Sequence, residues 1–375
     1  AQTAGVRLMI KIRVGTCWAT PGDANYVRGQ KNKTESSMPS DLTKYAAFVK
    51  SVVQRYPGVT AYAIENEINS ASFWSGTPAD FEKLYGVAAK AVREANPNAK
   101  VVDPGISSTA YGAGIAQRLL DTGKPAEAVA AYNTYYARRF GTRGDQLTQV
   151  ADVAGLRAAL ASEQAQRNLA YLALAEKLAG SGAVDVRQVH FYESPQAAPL
   201  FVDYLRATTP SSVPIEAWEV GQFNRSDDPP EQVRANEMTQ TVSTLLGGGM
   251  RNVIWLPLVS NPNGRNSDEP RYGLLEPDGS VRQTGQAFQA MSKAAAGASV
   301  APVSGNGLSG VAFESGGQTT AFVWASAGDV KLTLDPSDRV SDVGSTSQTS
   351  GPTTVGSTPK QITTSRPASA FLSAP

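Results

Sequence analysis

The sequence predicts an α/β chain of the TIM (β/α)8-barrel type followed by a small antiparallel β-domain. Three observations carry that expectation. Short apolar runs alternate with amphipathic helical patterns between about residues 6 and 295, the order expected of a parallel sheet with crossover helices. No Gly-x-Gly-x-x-Gly follows the first strand, which removes the usual mark of an open, doubly wound sheet. After roughly residue 299 no helical period remains, and short β runs take over, separated by Gly, Ser and Asp.

The first strand is expected over 6–14, ending in the turn-rich Gly15-Thr16-Cys17-Trp18. A helix follows Pro39-Ser40-Asp41, with Ser40 read as its cap and Leu42, Tyr45, Ala46, Val49, Val52 and Val53 at the i, i+3, i+4 spacing of one face. A second strand, 59–64, runs into Glu65-Asn66-Glu67. Thr77-Pro78-Ala79-Asp80 then reads as a capping box with Pro at the first helical position. That helix carries Phe81, Leu84, Tyr85, Ala88 and Val92 on one face and stops at Asn96-Pro97.

A third strand is expected over 100–103. The Ala- and Gln-rich stretch of about 111–182 is too long for one helix, and reads as a barrel helix enlarged by a helical insertion. Strands at 184–192, 213–220 and 252–258 follow, separated by helical patterns at 199–207 and 230–246, and a last helix spans 284–295. The expected domains are therefore a barrel over 1–298 and a β-domain over 299–375. Only six barrel strands can be counted, not eight.

Composition narrows the function. Hydrophobic residues make up 41% of the 375, ample for a packed core, and 34 Lys+Arg against 33 Asp+Glu leave a net charge of +1. No polybasic tract suggests nucleic acid, and no apolar run approaches the ~18 residues of a membrane span. One Cys, Cys17, excludes a disulfide framework and reads as a small hydrophobe near the barrel mouth. One His, His190, excludes a multi-His metal cluster. Ser107, Ser108 and His190 lack the Gly-x-Ser-x-Gly elbow of a serine hydrolase.

In a barrel the reactive groups stand at the C-terminal ends of strands, and two strands here end in carboxylates. On the fifth, alternation puts Ile215, Ala217 and Glu219 on the lumen side and Glu216 and Trp218 outward. On the second, Glu65 and Glu67 share a face, so parity does not choose between them. Paired carboxylates across a barrel mouth suit glycoside hydrolysis. One protonates the departing oxygen while the other attacks the anomeric carbon, at about 5–5.5 Å separation if retaining and ~6.5–9.5 Å if inverting. A lone strand-end Glu is more commonly a plain surface residue; two such clusters together favour chemistry.

These residues fall into a recognisable pattern. Tyr62-Ala63-Ile64-Glu65-Asn66-Glu67-Ile68-Asn69 resembles the Asn-Glu motif on the fourth strand of retaining clan A glycoside hydrolases, and Phe73-Trp74-Ser75-Gly76-Thr77 is similar to the run after it. His190-Phe191-Tyr192 resembles the sixth-strand His-x-Tyr, and Trp218-Glu219-Val220-Gly221 the seventh-strand nucleophile motif. Trp255 matches the aromatic platform of the last strand, and Tyr272-Gly273-Leu274-Leu275 with Asp278-Gly279 the run into the final helix.

The resemblance implies Glu67 as acid/base, Glu219 as nucleophile, Asn66 on the sugar 2-hydroxyl, His190 bordering the nucleophile and Tyr192 orienting it. It implies a retaining glycosidase acting on β-linkages of plant or microbial poly- or oligosaccharides, with no metal and no organic cofactor. Its partner is then a carbohydrate rather than nucleic acid or membrane, and secretion is expected from the substrate class alone. The alternative is a barrel that binds carbohydrate without turnover.

Trp18 and Trp74 are candidates for stacking on sugar, with ordinary loop packing as the plain reading. Glu65 stands where many relatives carry Trp; it either raises the pKa of Glu67 as a like charge or pairs with a base such as Arg13. Counting Asn-Glu as the fourth strand makes the 6–14 strand the third. An N-terminally truncated barrel lacking its first two β/α units, with an exposed edge, is the expectation.

Overall fold

The computed structural model describes residues 5–14, 36–141, 147–222, 229–260, 273–345 and 347–371. Among them the order is β1 (Met9–Ile12), α1 (Leu42–Arg55), β2 (Ala61–Ile64), α2 (Pro78–Ala95), β3 (Lys100–Val102), α3 (Ser108–Asp121), α4 (Pro125–Tyr135), α5 (Val153–Leu160), α6 (Glu163–Gly180) and β4 (Arg187–Phe191). Then come α7 (Ala198–Thr208), β5 (Ile215–Val220), α8 (Glu231–Gly247), β6 (Val253–Trp255) and α9 (Gln283–Ala295). Trp18, Cys17 and Tyr272 lie outside the described residues.

The described chain forms two compact units: Ala1–Tyr136 with Gln146–His190 and Asp203–Glu216, and Ala137–Asp145 with Phe191–Val202 and Ala217–Pro375. The strands β4 and β5 each begin in the first and end in the second.

In the first unit β1, β2 and β3 form a parallel sheet in chain order, Lys11 opposite Ala63 and Ala63 opposite Val102. A parallel bridge from Val102 to Val186 continues it to the residue before β4. Parallel strands need crossovers, and the amphipathic helices supply them. The buried face of α1 is Tyr45, Val49 and Val53, three of the residues its periodicity singled out. The cap is not the expected Ser40 but Asp41, whose carboxylate accepts from the Thr43 and Lys44 amides at 2.9 and 3.2 Å. The reason is position: the helix begins at Leu42, so the residue before it reaches the second and third free amides. The capping box of α2 forms as expected, Asp80 N to Thr77 Oγ1 at 3.1 Å and Thr77 N to Asp80 Oδ2 at 3.0 Å. The stretch read as a helical insertion contains α4, α5, α6 and most of α3.

In the second unit β5 and β6 pair in parallel, Val220 opposite Trp255; the sheet order is β4-β5-β6. Six parallel strands are thus present among the described residues, the number counted from the sequence. From Ser299 the strands turn antiparallel, as expected. The strands β7 (Ser299–Gly305), β8 (Leu308–Ser315), β9 (Gln318–Ala325), β11 (Arg339–Asp342) and β13 (Lys360–Thr364) form one sheet in the order β11-β13-β9-β8-β7. A short pair, β10 (Val330–Leu332) and β12 (Thr353–Val355), accompanies it, and β12 lies in the polar 345–357 stretch read as a connection. Val303, Leu308, Ala321, Val323, Val340, Val355 and Ile362 form its core.

Candidate active site

The residues expected on the acid side follow β2. The strand stops at Ile64, and the next three residues leave extended geometry: Glu65 has φ 64° and Glu67 φ 43°. Non-glycine residues in the left-handed region cost on the order of 1–3 kcal/mol each and persist where the surroundings over-determine them. The alternation argument for this strand therefore fails, because it assumes a strand that has already ended.

The two glutamates part company. Glu65 is fully buried, its Oε1 accepting from the Val14 amide at 2.5 Å and its Oε2 lying 3.4 Å from Arg13 Nε. Burial raises its pKa, opposed by the Val14 amide, Ser36 and Arg13. Arg13 also reaches the Phe73 carbonyl at 3.3 Å, so Glu65 ties the loop together through the base that the sequence offered as its partner. Glu67 instead keeps its side chain 16% exposed, and its Oε1 lies 2.8 Å from His190 Nδ1.

His190, on β4, is fully buried. The family resemblance sets it beside the nucleophile; within the first unit its hydrogen bond goes to Glu67. Its other nitrogen, Nε2, lies 3.2 Å from Lys11 Nζ and 3.1 Å from Gln188 Oε1. Lys11 Nζ also donates to Asn66 Oδ1. Gln188 is oriented by its own amide, whose Nε2 donates to the Asp103 carbonyl at 3.2 Å. Asp103 Oδ1 accepts from the Gln188 and Gly105 amides at 3.0 and 3.2 Å, and burial lifts this carboxyl to about 6 against the opposing charge of Arg187. Gly105 has φ 68°, and a Cβ there would meet Gln188 Nε2 at 2.5 Å and His190 Nε2 at 2.7 Å, so only glycine lets the imidazole sit where it does.

The loop beyond Glu67 is held from the helical insertion. Arg167, on α6, donates to the carbonyls of Asn69 and Trp74 at 2.8 Å each, and Asn69 bonds Asn168 and Ser107 at 2.9 Å. Trp74 is fully buried, edge-on to Phe81 with centroids 5.7 Å apart, and a Cβ on Gly76 would fall 2.7 Å from its ring. A ring enclosed in this way packs the loop and has no face to offer a sugar. The plain reading of Trp74 is the one that the structure supports.

The residues expected on the nucleophile side belong to the second unit. Glu219 stands on β5, partly buried, where the register against β6 shifts between Ala217 and Val220, and the Tyr192 hydroxyl donates to its Oε2 at 3.4 Å. A Cβ on Gly221 would meet the Leu256 carbonyl at 2.5 Å and the Tyr192 ring at 2.8 Å. The glycine of the Trp-Glu-x-Gly motif is thus what admits the tyrosine. Trp255 is buried opposite Val220, and its indole N–H has no hydrogen-bond partner among the described residues. Beside Tyr192, the buried Glu193 takes a bidentate pair from Arg139, with Nε at 2.8 and 3.0 Å from its two oxygens. Arg138 pairs with Glu237 at 2.5 Å.

Sequence reasoning missed Lys11, Arg139, Glu193 and Arg167. A signal existed for Lys11, since Lys11 and Arg13 alternate with Ile10 and Ile12 in a strand that is apolar apart from these two and Arg7. Nothing local marks the other three, whose partners are 54 and 98 residues away.

No protein-family model matches this sequence, and no curated protein does either. Solved structures do. A family 39 glycoside hydrolase from the gut symbiont Bacteroides cellulosilyticus aligns with a TM-score of 0.62 over 96% of this chain and 68% of its own, at 13% identity. This chain has the fold of that hydrolase. A glucosidase from Croceicoccus marinus gives 0.55 over 96% and 79% at 12% identity, and a monomeric β-xylosidase from Caulobacter crescentus 0.50 over 88% and 76% at 13%. At such identities the likeness to these glycoside hydrolases is one of fold, and the chemistry has to come from the side chains.

Proposed function

We propose that this chain is a retaining O-glycoside hydrolase that cleaves poly- or oligosaccharides by double displacement, with Glu219 as nucleophile and Glu67 as acid/base. The observation that carries the reading is the pair of hydrogen bonds on one strand end: His190 to Glu67 and Tyr192 to Glu219. Each of the two carboxylates is thus held by a hydrogen bond within its own unit. Both also stand at the C-terminal ends of parallel strands, where barrel chemistry is carried.

In the first step Glu219 attacks the anomeric carbon as the bond to the leaving oxygen breaks, and Glu67 gives that oxygen its proton. In the second, Glu67 takes a proton from water, the hydroxide adds to the anomeric carbon, and Glu219 departs. Tyr192 holds Glu219 by its hydroxyl, and Asn66, with its Oδ1 occupied by Lys11, keeps its Nδ2 hydrogens for a sugar hydroxyl. The β-xylosidase and glucosidase among the similar structures make aryl β-xylosides and β-glucosides the first substrates to try, and a secreted enzyme follows from a polysaccharide substrate. Proton NMR of the first-formed sugar tests the reading. The β-anomer is expected from a β-glycoside; the α-anomer, or oligosaccharide binding without turnover, contradicts it.

A further inference from the structure

We infer that Lys11 and Gln188 make His190 a tautomer switch that follows the protonation of Glu67. The inference rests on the acid/base assignment above and deepens it. His190 Nε2 faces two groups with opposite demands, Lys11 Nζ at 3.2 Å and Gln188 Oε1 at 3.1 Å. An ammonium donates and never accepts, so Lys11 is satisfied when Nε2 carries a lone pair. A carbonyl oxygen only accepts, so Gln188 is satisfied when Nε2 carries hydrogen. The Gln188 amide does not escape by flipping, because its Nε2 is committed to the Asp103 carbonyl at 3.2 Å.

Each demand fits one state of Glu67, 2.8 Å from Nδ1. With hydrogen on Nε2, Nδ1 is bare and forms its bond only with a protonated carboxyl. That is the form in which Glu67 serves as acid. With Nε2 bare and accepting from Lys11, Nδ1 carries the hydrogen and donates to an ionised carboxylate, the form in which Glu67 serves as base. When Glu67 surrenders its proton to the leaving oxygen, Nε2 loses its hydrogen to water and Nδ1 gains one from water. The ring neither gains nor loses charge. The second step reverses the exchange.

In either form Lys11 keeps its bond to Asn66, so the ammonium stays in place while the imidazole changes sides. Within the first unit, the titratable and charged groups that bear on the ring include Lys11 on β1, Glu67 after β2, Asp103 after β3 and Arg187 on β4. Glu65 is turned to Arg13 and Val14.

The protein has one histidine, so 15N-histidine labelling yields a single imidazole whose two nitrogen shifts report the tautomer directly. At neutral pH the expected result is an Nδ1–H ring in the unaltered protein and an Nε2–H ring in Glu67→Gln, whose neutral amide replaces the protonated acid and donates to Nδ1. Lys11→Met is expected to shift the ring toward Nε2–H, Gln188→Met to leave it as Nδ1–H, and Lys11→Arg to keep the Nδ1–H form. One tautomer in all five proteins, or a doubly protonated ring throughout, overturns the switch. If Lys11→Met does not fold, Gln188→Met and Glu67→Gln decide it. The readout needs no substrate, so a chain that switches but hydrolyses nothing overturns the glycosidase reading and leaves this inference standing.

Discussion

The two candidate carboxylates are held in contrasting ways. Glu67 sits in a segment with two left-handed residues around Asn66, and its surroundings are dense with charge: Lys11, His190, Arg13 and Arg167 all bond within a few residues of it. Glu219 sits on a strand, at the register shift between Ala217 and Val220, and takes the hydroxyl of Tyr192 at 3.4 Å, with a buried ion pair beside that tyrosine. The chemistry proposed for each explains the contrast. An acid/base must change protonation twice per turnover, so it needs neighbours able to answer either state. A nucleophile needs only to stay ionised and aimed.

Four substitutions probe this contrast. The largest effect is expected at Glu219→Gln, which removes the attacking group and should reduce turnover by more than the ~10²–10⁴ that acid/base catalysis supplies. Glu67→Gln should cost on the order of 10²–10⁴ on substrates whose leaving oxygen needs protonation, and much less in the first step for dinitrophenyl glycosides. Single-turnover kinetics with the two leaving groups checks both, and equal losses for both would dissolve the distinction between the carboxylates.

Arg139→Met leaves the buried Glu193 carboxylate uncompensated. It is expected to lower stability by about 3–5 kcal/mol in urea unfolding, because breaking one half of a buried pair strands the other charge.

The smallest effect concerns Asp103, which supports His190 through Gln188 and Gly105. Its folded pKa, about 6, lies above its ordinary value of 3.8. The folded state therefore binds more protons than the unfolded one between about pH 4 and 6, and stability falls as pH rises through that window. The loss is on the order of 2–3 kcal/mol. Asp103→Asn keeps an oxygen for both amides and should flatten the slope; an unchanged slope would place the buried charge elsewhere.

The same contrast separates what the sequence disclosed from what it did not. Glu219 and Gly221 were legible because their motif, Trp218-Glu219-Val220-Gly221, is local. The capping box of α2 and the faces of α1 and α2 were legible for the same reason, being matters of spacing within one element. Glu65 and Glu67 were not separable by parity because they stand two residues apart, and left-handed backbone at both positions then cancels the alternation altogether. Trp74 looks the same in sequence whether it faces a sugar or Phe81, and burial alone decides. Arg139 and Arg167 act on residues 54 and 98 positions away, a relation that only the folded chain displays.

The most direct test is covalent trapping with 2-deoxy-2-fluoro-β-xylosides and β-glucosides bearing a dinitrophenolate leaving group. The fluorine slows both steps, while the activated leaving group still lets the first proceed. The account predicts a stable glycosyl ester on the peptide containing Glu219, formed also in Glu67→Gln. Turnover of the parent glycoside with no adduct, or an adduct on any other carboxylate, would contradict it.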